Sequence, residues 1–365
     1  MTLLRHFHAH GAGKRLVRVV CALALLFAPL FCTAQEIRVS VLGLFHPVDL
    51  VLAPADHAVM VAQALPSGAS HRVVLNGEPG HRRLTFHVRG ERVDAESFGA
   101  SQWEVTARDG GPAWFELEVP GKLRRTYRGK LLVEARDGHL EAVVAMDVET
   151  AVASIVNAEM DEAAPLEALK AQAVVTRSFL LAGQRHLDFD FCDTTHCQFL
   201  KAPPARGSRA WSAVDATRAV VLSYRGRTLA AMYSGRCGGR TRSLCEAGYP
   251  APAEDSGQYP YYAVECRWCR EHPFVWQRHL DNAQPPPPPG DEPRRIQAVR
   301  QWGWSSLPGA DFSTAADPQG WRIEGHNVGH GIGMCQYGAI GMANEGADFR
   351  RILAAFYPNT SLRGF

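Results

Sequence analysis

The chain has 365 residues, 46% of them hydrophobic and 21% charged, with 39 Lys and Arg against 37 Asp and Glu. That apolar content sustains a substantial core, in one large domain or two. A net charge of +2 gives no global basic field, which argues against nucleic acid as a partner and favours a neutral or polymeric sugar over a polyanion.

At the N-terminus, Arg5, Lys14, Arg15 and Arg18 precede an apolar run over 19–31, and small residues follow at Thr33 and Ala34. The run is too short and too interrupted by proline to span a bilayer. It predicts an export signal over 1–34, cut after Ala34, and hence a place in the periplasm or cell envelope with no stable membrane span after cleavage. Bulky Phe31 argues against lipidation at Cys32. Cleavage leaves 35 basic against 37 acidic residues and seven of nine cysteines. An odd number of cysteines in an oxidising compartment leaves at least one free, metal-bound or paired between chains.

Short alternating runs at 37–42, 82–88 and 130–134, separated by Gly, Pro and Asp, predict antiparallel strands and a β-rich region over 35–124. Near Met146 the period changes. Val148, Val152, Ile155 and Val156 fall at helical spacing, and Pro165 opens a second helix with Leu166, Leu169, Ala173 and Leu180 on one face. Strands are expected again at 220–224 and 228–233, a stiff proline-rich insertion at 284–293, and a last short helix at 349–356. Strands, helices and strands in that order predict an α+β fold, with antiparallel strands and a central helical segment forming a cleft.

Glu159 sits among Ile155, Val156 and Met160, neighbours able to desolvate its carboxyl and raise its pKa into the range of a general acid. Asp161 and Glu162 follow closely, and a solvated acidic turn is the plainer reading of the three. Cys192, His196 and Cys197, with His186 upstream, offer two thiols and two imidazoles, a ligand set for structural zinc. A Cys192–Cys197 disulfide is the alternative. Cys266 and Cys269, with Cys237 and Cys245, read as disulfides, a second metal being the alternative.

The segment 325–338 packs glycines around His326, His330, Gln336 and Tyr337. Backbone that bare commonly lies against something, and the segment reads as one wall of a sugar cleft. His330, Gly331, Gly333, Gln336 and Tyr337 are its expected substrate contacts. Cys335 beside His330 also admits a thiol-nucleophile reading, which proximity in sequence does not establish.

Five ordered motifs carry a resemblance: Glu159-Met160, PLEALKAQAVVTRSF at 165–179, CDTTHCQ at 192–198, GGRT at 238–241 and GHGIGMCQYG at 329–338. Together they resemble the stage II sporulation protein D family, which includes the amidase enhancer LytB. The similarity spans about 125–357 with a break near the proline run, so 125–365 is expected to be a catalytic domain of that kind. The resemblance implies lytic transglycosylation of peptidoglycan glycan strands, those stripped of peptide stems being the expected substrate. Glu159 would be the single acid/base, giving 1,6-anhydro-muramic ends. It maps a zinc-binding segment onto Cys192, His196 and Cys197, with His186 less securely placed. The other reading it permits is a non-catalytic glycan binder that stimulates a cell-wall amidase. This chain departs from the family pattern at 161–164, where proline and an aromatic residue are usual, and at Cys335, which stands where serine is usual.

Overall fold

Alternation of buried and open side chains organises the first half of the chain. The strand Ala113–Val119 buries every second residue, and so does the middle of the long strand Leu123–Arg136. These strands therefore present one apolar face to a shared interior, filled by Trp103, Tyr127, Phe86, Phe115, Leu50 and Leu52. The structure is a computed structural model that describes residues 35–365 except 56, 66–70, 78–82, 251–258 and 282–283. The expected export signal at 1–34 lies outside the described residues.

The strands from Glu36 to Asp147, joined by Phe191–Cys192, build a twelve-stranded, curled, almost wholly antiparallel sheet. Its long strand makes the corner. Residues 123–129 pair with Ala113–Val119, whereas 130–136 pair with His139–Asp147. Gly129 stands at the change of partner, and a Cβ there would lie 2.4 Å from the Ala145 carbonyl oxygen, so only glycine allows this approach. The same strand runs through position 124–125, and residues 36–365 form one compact unit.

Helix α1 (Val148–Glu159) follows directly from the sheet. Asp147 caps it by accepting the Thr150 amide at 3.1 Å. Helix α2 (Leu166–Leu181), with Pro165 at its N-cap, is buried almost all round, so it forms the centre of the helical layer. Polar residues inside α2 are matched. Arg177 grips the Glu149 carboxylate of α1 at 2.6 and 3.0 Å and donates to the Val220 carbonyl at 3.1 Å. Glu149 also accepts the Ala219 amide. This buried pair ties α1, α2 and the strand Val220–Tyr224 into one unit.

Helices α3 (Arg209–Ala216) and α4 (Arg267–Glu271) follow. The expected strand at 228–233 is instead two short pieces, Arg227–Thr228 and Tyr233–Ser234. The segment after the prolines leads into helix α5 (Glu292–Trp302), capped by Asp291. That helix packs with the strands Trp276–Leu280, Phe312–Asp317 and Gly320–Gly325 around a small second core of Trp276, Val299, Leu307, Phe312 and Ile323. Helices α6 (Gln336–Asn344) and α7 (Phe349–Phe356) complete the α+β architecture. Among the described residues, no helix is long and apolar enough to cross a membrane.

Candidate active site

The site begins where α1 stops. Met160 takes an extended conformation, ending the helix and leaving Glu159 at its last turn. The carboxylate accepts the Phe199 amide at 3.0 Å. Burial raises its pKa, an effect opposed by the Phe199 amide, Tyr233 and Lys201. Asp161 and Glu162 are exposed, and Asp161 accepts the Ala163 amide at 2.8 Å. Desolvation, not the neighbouring acids, therefore keeps a proton on Glu159 to higher pH than an ordinary glutamate.

Glu159 opens into a cleft of about 550 Å³. Its other walls are His196, Cys197 and Gln198, the segment Ala231–Gly235, residues 328–330 with Gln336, and one face of α5. Two buried polar side chains on this lining, Gln198 and Ser234, find no hydrogen-bond partner among the described residues. The Tyr233 hydroxyl faces the Glu159 carboxylate and interacts with it, partly offsetting the effect of burial on that carboxyl. Buried polar atoms are rarely left unpaired, so these two side chains are free to bond water or a polar ligand in the cleft. A second cleft of about 560 Å³ runs along Leu181, Arg227, Tyr259 and Tyr261, and among the described residues no carboxylate lies on its lining.

The loop that holds Glu159 is anchored to the sheet. Phe191–Cys192 pairs in parallel with Val39 and Ser40. Buried Asp193 accepts from the Leu42 amide at 3.2 Å and from Arg125 at 2.9 Å. His186, Cys192, His196 and Cys197 then converge, with all four ligand atoms within 4.8 Å of one another. The His186 Nε2 to Cys197 Sγ distance is 3.3 Å, and His196 Nδ1 lies 3.7 and 3.6 Å from the two sulfurs. These edges match a tetrahedron around a metal with ligands at about 2.0–2.3 Å. Phe199, two residues on from Cys197, carries the amide that holds Glu159.

The glycine-rich segment divides. His330 and Gln336 line the cleft. His330 Nδ1 accepts the Ile332 amide at 2.9 Å, and its ring also bonds to the Tyr233 backbone. Although part of the residue opens to the cleft, the ring is enclosed, and desolvation pushes its pKa down to about 4. It is neutral near pH 7 and both nitrogens are engaged within the protein. The Gln336 amide bridges the Glu159 carbonyl at 3.2 Å and Gln172 of α2 at 3.3 Å.

Gly331, Gly333 and Tyr337 do not line the cleft, contrary to the sequence expectation. A Cβ on Gly331 would meet the Arg242 side chain at 3.0 Å, and one on Gly333 would fall 2.0 Å from the Met232 carbonyl oxygen. Both have left-handed backbone, φ +75° and +70°. Their bareness serves close packing of chain on chain. Tyr337 is covered by Arg236, whose guanidinium lies 3.4 Å from the ring centroid.

Sequence reasoning passed over Gln198, Tyr233, Ser234 and all of α5. The last contributes Arg295, Ile296 and Arg300, with Trp304 just beyond its end. Cleft-lining Glu292 is clamped by Arg295 at 2.6 and 2.8 Å.

Comparison with known proteins fits this arrangement. Residues 136–224, which hold α1 to α3, Glu159 and the Cys–His loop, match the family described as Stage II sporulation protein. It is 28% identical over 266 residues to an uncharacterized protein of Brachyspira hyodysenteriae, covering 63% of this chain and 70% of that one. Over 49 residues it is 43% identical to the amidase enhancer of Bacillus subtilis, a stretch covering 13% of this chain and 7% of that protein.

Proposed function

We propose that the chain is a lytic transglycosylase that cleaves the glycan strands of peptidoglycan, with Glu159 as its single acid/base. The observation that carries this reading is a desolvated carboxyl, faced by the Tyr233 hydroxyl, in a cleft where the buried side chains of Gln198 and Ser234 have no partner among the described residues. A hydroxyl-rich sugar satisfies such groups, and the half-exposed Trp304 offers a ring face to stack on it. Protonated Glu159 gives its proton to the glycosidic oxygen as the C1–O bond breaks. The carboxylate then takes the proton of the muramic acid 6-hydroxyl as O6 bonds to C1, closing a 1,6-anhydro ring. Glycosidases that use water commonly need two carboxylates. Here the attacking hydroxyl belongs to the substrate, and Glu292 is already held by Arg295.

Zinc is the metal this reading places on His186, Cys192, His196 and Cys197. Four protein donors would close its coordination, so its role is structural, stiffening the loop that presents the Phe199 amide to Glu159. Cys192→Ser is expected to hold one zinc fewer by elemental analysis and to melt at lower temperature. Equal metal content in variant and wild type would remove this site.

The short similarity to an amidase enhancer, together with the acidic 161–164 turn, favours one second reading. In it the same cleft binds glycan without breaking it and stimulates a cell-wall amidase. Incubation with denuded and stem-bearing glycans, followed by mass spectrometry, separates the two. Anhydro ends support the transglycosylase. Intact glycan with a faster partner amidase supports the enhancer, and new reducing ends would point to a hydrolase.

A further inference from the structure

Four of the remaining cysteines meet at one point. Cys237 follows the strand Tyr233–Ser234, and Cys266 and Cys269 bracket the first turn of α4. Cys335 ends the strand Met334–Cys335, which pairs in parallel with Tyr233–Ser234, and it caps α6. The four sulfurs all lie within 4.8 Å of one another, Cys269 and Cys335 being 3.4 Å apart. All four residues are buried, at 0–4% exposure. Cys245, grouped with Cys237 on sequence spacing, is exposed and stands outside the cluster, and Cys335 takes its place.

We propose that Cys237, Cys266, Cys269 and Cys335 bind one zinc ion as a structural four-thiolate site, separate from the Cys–His loop. Four thiolates at about 2.3 Å from a tetrahedral centre stand about 3.8 Å apart, in keeping with this spacing. Two disulfides would need only two close pairs, each with sulfurs about 2.05 Å apart, and nothing would then draw the pairs together. The surroundings suit a buried thiolate. The Cys335 sulfur accepts the Gly338 amide at 3.3 Å, and a Cβ on Gly338 would lie 2.6 Å from the Cys266 sulfur, so glycine leaves room for the cluster. Binding converts four thiols to thiolates and releases their protons, leaving no open coordination position. The ion would join the 233–241 segment, α4 and the start of α6. Gln336, next to Cys335, is the residue that bridges to Glu159. The inference does not depend on glycan cleavage and stands if none is found.

The test uses the full chain purified without chelator and without added reductant. Native mass spectrometry and elemental analysis count zinc in wild type, Cys192→Ser and the double variant Cys266→Ser/Cys269→Ser. The double variant is expected to hold one zinc fewer than wild type, and Cys192→Ser to keep one. Cobalt-loaded Cys192→Ser should show the intense thiolate charge-transfer bands of a tetrahedral four-sulfur site. If the double variant fails to fold, that cobalt spectrum and the wild-type zinc count decide. Equal zinc in wild type and double variant would overturn the proposal. So would a Cys192→Ser protein that binds neither zinc nor cobalt, or wild-type peptides joined by disulfides among these four cysteines.

Discussion

Glu159 is a carboxyl whose burial works against the fold when it is charged. Its raised pKa means that its stabilising contribution is complete below the ordinary glutamate range and is lost as pH rises through the folded-state value. Glu159→Gln should therefore melt at higher temperature than wild type at pH 7. The gap should close at acid pH, because the amide can still accept the Phe199 N–H. A thermal series across pH checks both; a constant gap would mean that desolvation does not set the proton on Glu159. The two glycines at left-handed angles give a further prediction. Gly331→Ala is expected to cost about 1 kcal/mol or more, because alanine rarely takes that backbone conformation. Gly333→Ala should cost more, since its methyl would press on the Met232 carbonyl where no side chain can yield. Calorimetry ranks them, and stable variants that bind glycan poorly would return both residues to the cleft wall. Glu159 was legible in sequence through Ile155, Val156 and Met160. Gln198, Tyr233 and Ser234 were not, because they reach the cleft of Glu159 only after three distant segments close together.

At the scale of elements, the helix that delivers Glu159 is fixed from its opposite end. The fully buried Arg177 bonds both oxygens of Glu149 in the first turn of α1, and no water replaces either partner cheaply. Arg177→Met should destabilise the protein by about 3–5 kcal/mol, the usual cost of stranding a buried charge. Adding Glu149→Leu should recover much of that loss, since an apolar pair of similar volume removes the orphaned carboxylate. Denaturant melts of the single and double variants measure both; a harmless Arg177→Met would show that the pair does not hold α1. Helices α1 and α2 were readable from apolar spacing because burial on one side or all round leaves that imprint. Helix α5 was not. Its sequence EPRRIQAVRQW is mostly polar, since it buries few residues and faces the cleft with charged ones. The two-residue strands Tyr233–Ser234 and Met334–Cys335 carry no period at all, yet their pairing sets both the cleft wall and the thiol cluster.

The whole molecule joins a curled sheet, a buried helical pair and a small second core, and the cleft draws walls from the helices, the Cys–His loop and α5. The sheet was legible by alternation, but the break near the proline run concealed that the insertion completes the cleft. The central claim is that one carboxyl, Glu159, transfers both protons in that cleft. The direct measurement compares wild type with Glu159→Gln on denuded glycan, counting 1,6-anhydro ends by mass spectrometry while a pull-down records binding. Wild type should form those ends, and the variant should bind glycan equally with cleavage lowered about a hundredfold or more. Undiminished formation of anhydro ends by Glu159→Gln would contradict the account.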